Sequence, residues 1–138
     1  MRKLLLLASF LFLCTLSFAQ TAEETIDWLN VKKDDFYLGN SYSNVVANGY
    51  KTRTLLMTTK NIKLSDVNNA WTDGDWASIK EVKAESGGVK IVFNFNYEGA
   101  PSFIYVAINN SELKEKVFKA FKHMATLKGA KMIDHDLF

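Results

Sequence analysis

Cysteine occurs once, at position 14, proline once, at position 101, and histidine only at positions 123 and 135. Cys14 falls inside an apolar N-terminal run, so the chain beyond it carries no thiol. That excludes a disulfide framework, a catalytic thiol and a thiolate-held metal there. Neither histidine adjoins a plausible nucleophile and there is no Gly-x-Ser-x-Gly elbow, so nucleophilic catalysis has little to start from. No phosphate-cradling glycine loop occurs, and Gly87-Gly88 suits a hairpin turn instead. Asn109-Asn-Ser111 matches a glycosylation sequon, but its residues serve better as a helix cap.

Arg2 and Lys3 open the chain and an apolar run follows from Leu4 to Phe18. Ser17-Phe18-Ala19 then places small residues where a signal peptidase needs them for a cut before Gln20. The run is shorter than the roughly 20 residues that span a bilayer as a helix. The pattern predicts a cleaved signal peptide over residues 1–19 and a protein that is exported, either periplasmic or secreted. No integral membrane segment would remain. Leu11-Phe12-Leu13 are too bulky to precede a lipid-modified Cys14.

Loss of Arg2 and Lys3 with the leader reduces 17 basic side chains to 15, which match the 15 acidic ones. A neutral mature domain gives no reason to expect nucleic acid or an anionic membrane as partner. Residues 20–138 show no repeat, low-complexity tract or change of composition, so they read as one domain. At that length a chain buries roughly two-thirds of its unfolded surface, enough for a core without disulfides.

Within this domain Thr21-Ala-Glu-Glu24 is a capping box, and Ala22, Ile26 and Leu29 recur at helical spacing, predicting a short helix over 22–31. Lys32 to Ser41 reads as a loop. Asn48-Gly49 predicts a tight hairpin between strands 42–47 and 50–59, with the burial of Leu55 and Met57 against Leu56 left open. Ile62-Lys-Leu64 reads as a short strand running into a turn at Ser65-Asp66-Val67, and Trp71 to Trp76 as a second turn with Asp73-Gly74 at its tip. Strands follow over 76–85, 89–96 and 102–108, the second alternating cleanly as Val89, Ile91, Phe93 and Phe95. Strand 102–108 is apolar on both faces, so it should be central or covered twice. The last long helix, 111–128, repeats Leu113, Val117, Ala120, Phe121, Met124 and Leu127 on one face, capped by Asn109 or Ser111 and stopped at Gly129.

These elements predict an α+β domain: a strongly bent antiparallel sheet of five to six strands, with a short N-terminal helix and a long C-terminal helix packed on it. The Ile62-Lys-Leu-Ser-Asp-Val67 element, followed by hairpins and the terminal helix, resembles the layout of PH-like domains over about residues 42–128. The layout also resembles small exported bacterial domains of unknown function. PH-like domains bind phosphoinositide headgroups through basic hairpin loops. Here the first tight turn has only Lys51 and Arg53 beyond it, so the resemblance does not carry that activity, and the helix over 22–31 would be an addition.

Function follows from what remains. A full apolar core with 10 phenylalanines and no catalytic set points to a non-enzymatic exported domain. It would bind a protein partner or a small apolar ligand, with no cofactor, in a groove between the last helix and the sheet. Trp71 and Trp76, which flank Asp73-Gly-Asp75, are one candidate binding platform, and Phe103 and Tyr105 on one strand face are another. The contrasting expectation is a metal-dependent hydrolase in which His123, Asp134, His135 and Asp136 converge, since an extended tail puts Asp134 and Asp136 on one side. A third is a membrane-surface binder that uses Lys114, Lys116, Lys119, Lys122, His123 and Lys128 of the last helix.

Overall fold

The computed structural model describes residues 20–40, 54–65, 70–97 and 99–133. The hairpin expected around Asn48-Gly49 and the turn at Asp66-Val67 lie outside them, as do the leader and residues 134–138. The architecture is α+β. Among the described residues the strands form two antiparallel sheets, not the single sheet of five to six expected: four strands in the order β1-β7-β6-β5, and three in the order β2-β3-β4.

Helix α1, Ala22–Lys32, starts where its capping box places it: Thr21 Oγ1 accepts from Glu24 N at 3.2 Å, and Glu24 Oε2 accepts from Thr21 N at 2.9 Å. Such a cap contributes about 1 kcal/mol. Thr25, Ile26 and Leu29 are its buried residues, and Asn30 Nδ2 donates to Met57 O at 3.1 Å, tying α1 to strand β2. A single 3-10 turn, Lys33–Asp35, then leads to β1, Tyr37–Asn40, where a loop was expected. Four residues ending in Gly-Asn show no alternation by themselves. Their ladder is supplied by the far end of the chain, with Tyr37 opposite Ala107 and Asn40 opposite Ile104.

Strands β2 (Thr54–Met57) and β3 (Asn61–Ser65) settle which face is buried: Leu55, Met57, Ile62 and Leu64 point inward and Leu56 outward. Thr58 organises the turn between them, its Oγ1 accepting from Asn61 N at 3.1 Å and donating to Asn61 Oδ1 at 2.7 Å. The turn predicted at Trp71 to Trp76 is instead strand β4, Ala70–Asp75, with Asp73-Gly74 in its middle. Cross-strand pairing overrides the dipeptide's turn propensity: Asp73 stands opposite Lys63, accepts from Asn61 Nδ2 at 2.9 Å, and Gly74 stands opposite Ile62. Gly74 is required by close approach, because a Cβ there would lie 2.6 Å from Cδ1 of the buried Phe93. The two sheets meet at that contact.

Trp76–Ser78 forms a 3-10 turn, so strand β5 is only Ile79–Glu85, shorter than the expected 76–85. A two-residue turn joins it to β6, Gly88–Tyr97, which pairs in turn with β7, Ala100–Ala107. Both ladders of β6 change register near Phe93, between Ile79 and Glu81 on one side and between Val92 and Asn96 on the other. Such irregularities bend a strand. As its two apolar faces imply, β7 is central, between β1 and β6.

Helix α2, Ser111–Leu127, is capped by Asn110, whose Oδ1 accepts from Leu113 N at 2.9 Å, and not by Asn109 or Ser111. Its buried face is Val117, Phe121, Met124 and Ala125. Leu127, expected in that stripe, is 49 % exposed although Met124 and Ala125 of the same turn are fully buried, so it lies off the buried face. The helix packs on β5, β6 and the Trp76–Ser78 turn, with α1 alongside. One continuous core results, including Trp76, Ile91, Phe93, Ile104, Val106 and Phe121.

Candidate functional site

Trp76 stands apart from Phe103 and Tyr105. Trp76 is fully buried, its indole Nε1 donating to Thr58 O at 2.7 Å and its ring centroid 6.1 Å from that of Phe121. It serves the core and leaves no face for a ligand. Trp71 lies in β4, and its side chain is outside the described set. Phe103 and Tyr105 occupy the face of β7 opposite the core residues Ile104 and Val106, so the sheet separates them from Trp76. There Lys90 Nζ sits 4.2 Å over the Phe103 ring, and Lys90 pairs across the ladder with Tyr105.

Burial, and secondarily the nearby Glu85 carboxylate, push the Tyr105 phenol above its ordinary value of 10.0. The folded state therefore favours the neutral phenol. Its contribution to stability is full below pH 10 and is lost as pH rises past that value. We expect urea midpoints to fall above pH 10, with a shallower fall in Tyr105→Phe. Equal slopes in the two proteins would contradict the burial argument.

The residues of the metal hypothesis are only partly visible. His123 Nε2 lies 2.8 Å from the Gln20 carbonyl oxygen, which can only accept, so this nitrogen carries its hydrogen. Asp134, His135 and Asp136 lie outside the described residues, among which no three His, Cys, Asp or Glu side chains gather. On the lysine face, Lys116 pairs with Glu112 at 2.7 Å and Lys119 with Glu115 at 3.4 Å, one turn apart in each case. Ser111-Glu-Leu-Lys114 carries a Ser-x-x-Lys spacing that sequence reasoning passed over. The Lys114 amine is engaged elsewhere, donating to Glu85 O at 2.9 Å and to Ser86 O at 3.3 Å.

A groove does form between the last helix and the sheet. Among the described residues β5 stands at the edge of its sheet, and α2 packs beside it. Lys114 ties the start of α2 to the end of β5, and beyond the helix Ile133 N donates to Lys80 O at 2.9 Å near the start of β5. Between these two ties helix and strand enclose a half-open hollow of about 580 Å³. Val82, Phe118, Ala130 and Met132 supply apolar walls, while Lys83, Glu85 and Lys122 supply charge. Lys122 Nζ sits 5.3 Å over the Phe118 ring, and Lys83 Nζ is 3.3 Å from Glu81 Oε1. Sequence placed this site between helix and sheet without its lining, since Phe118 lies off the core stripe. Met132 and Ile133 belong to the segment after α2, which the Ile133–Lys80 hydrogen bond docks beside β5.

A second hollow, of about 540 Å³, opens where α1 meets α2, beside Gln20, Trp28, Ala120 and His123. Among the described residues no helix is long and apolar enough to cross a membrane. No protein-family model, curated protein or solved structure matches this chain.

Proposed function

We propose that this chain is an exported, non-enzymatic domain that holds a small, largely apolar molecule in the groove between β5 and α2. The observation that carries this reading is the hollow of about 580 Å³, apolar on Val82, Phe118 and Met132 with a few charged groups at hand. Small-molecule sites typically enclose about 300–1,000 Å³ with an apolar lining and a few polar groups. The PH-like layout belongs to the same proposal, supported by two antiparallel sheets with a C-terminal helix against the four-stranded one and with α1 as an addition. The membrane-surface reading has less support, since two lysines on that helix face are already paired with glutamates. The hydrolase reading has less as well, since His123 is engaged by a backbone carbonyl.

Native mass spectrometry of gently purified, exported protein tests the reading, with the denatured mass as reference. The expected result is a mass excess in the native protein that is lost on denaturation. Ala84 is exposed and lines the groove, so Ala84→Trp should fill it and abolish the excess. As a surface change it should alter stability by no more than about 0.5 kcal/mol. A bare monomer that takes up no apolar probe such as a fatty acid would overturn the proposal.

A further inference from the structure

The groove is not the only place where the fold makes specific contact with an end of the expected mature chain. We propose that Gln20 is a modification site: once freed at the Ala19–Gln20 bond it cyclises to pyroglutamate, and the fold seats that ring beside His123. This rests on the reading of residues 1–19 as a cleaved leader. The chemistry needs no co-reactant. The α-amine of Gln20 attacks its own side-chain amide carbon, the new N–Cδ bond closes a five-membered lactam, and the Cδ–Nε bond breaks. The amide nitrogen departs as ammonia, taking a proton from the α-amine, and the terminal positive charge disappears.

Three observations favour this end product. First, the Gln20–Thr21 peptide unit is held at both polar atoms: the Gln20 carbonyl accepts from His123 Nε2 at 2.8 Å, and Thr21 N donates to Glu24 Oε2 at 2.9 Å. Gln20 itself is exposed, so the residue stays open to solvent while its backbone is fixed. Second, Lys116, Lys119 and His123 border the same hollow. An α-ammonium there would stand at the positive end of α1, which favours a neutral or negative group; the two lysines are themselves paired with Glu112 and Glu115, and the Glu24 carboxylate is engaged by Thr21 N. Third, the hollow has an apolar wall in Trp28 and Ala120, both packed against the core. A neutral lactam suits that wall and a charged terminus does not.

The test is the intact and N-terminal peptide mass of exported protein, made from the full precursor with its leader. A chain that begins at residue 20 and is lighter by one ammonia is expected. Gln20→Ala should begin at the same residue without the loss. A chain that begins at Gln20 and keeps its free amine after prolonged incubation at neutral pH overturns the cyclisation and leaves the leader reading intact. A chain that begins anywhere else overturns the leader reading itself. His123→Ala should keep the ammonia loss but speed hydrogen exchange at the Thr21 and Glu24 amides. Unchanged exchange would remove His123 as the seat.

Discussion

Phe121→Asp is expected to leave the domain unfolded at room temperature, with no cooperative transition in a circular-dichroism melt. Phe121 is fully buried in the middle of α2, its ring tilted 34° against Trp76, which is also fully buried. Truncating such a phenylalanine to alanine costs about 3–5 kcal/mol. Whole domains are stable by only about 5–15 kcal/mol. Aspartate adds a further cost, since it must either be buried as a charge or be protonated. Among the described residues no lysine, arginine or histidine is buried, so no cation is at hand to pair with it. Phe121→Leu keeps most of the contact and should fold, with a loss of about 1–2 kcal/mol. If Phe121→Asp melted within a few degrees of the parent, α2 would not be seated on Trp76 and the groove beside it would lose its wall.

The second large effect is expected at Gly88, where Gly88→Ala should lower the melting temperature by about 10 °C or more. Gly88 opens β6, opposite Glu85 on one side and Ala107 on the other. A Cβ there would lie 2.9 Å from both the Ala107 Cα and the Val106 carbonyl carbon. Those are backbone atoms of the central strand β7, which is held on its other side by β1, so neither neighbour can yield cheaply. Overpacking of a flexible core site costs about 1–3 kcal/mol, and a clash with fixed backbone belongs at or above the top of that range. Gly87→Ala is the control. Its Cβ would meet only the Tyr105 hydroxyl, at 3.0 Å, the far end of a side chain that can move. A melting temperature equally lowered in both variants would mean that the β5–β6 turn, and not the β6–β7 contact, is what glycine serves.

The two helices were legible because their signals are local. A capping box fixes the start of α1, and an apolar face including Val117, Phe121 and Met124 fixes the buried side of α2. Val89, Ile91 and Phe93 declared their strand face by alternation alone and all three are buried, whereas Phe95, the fourth of that set, is 37 % exposed, past the point where the β6 ladders change register. Where the sequence misled, a partner far along the chain decided the outcome. β1 exists because β7 pairs with it from nearly 70 residues away, as Tyr37 opposite Ala107 shows. Asp73-Gly74, a turn by propensity, became mid-strand because Lys63 and Asn61 lie across from Asp73 and the Phe93 ring fills the space a side chain at Gly74 would take.

The candidate site divides in the same way. Composition determined that chemistry beyond residue 19 must proceed without a thiol and with two histidines, and that the charges of residues 20–138 balance. Only the tertiary structure decided that Trp76 belongs to the core, that β5 stands beside α2, and that His123 meets the carbonyl of Gln20. Periodicity reports which side of an element turns away from water, because that preference acts residue by residue through the hydrophobic effect. It is blind to which elements become neighbours, because ladder hydrogen bonds and ring contacts join groups whose separation along the chain leaves no local mark.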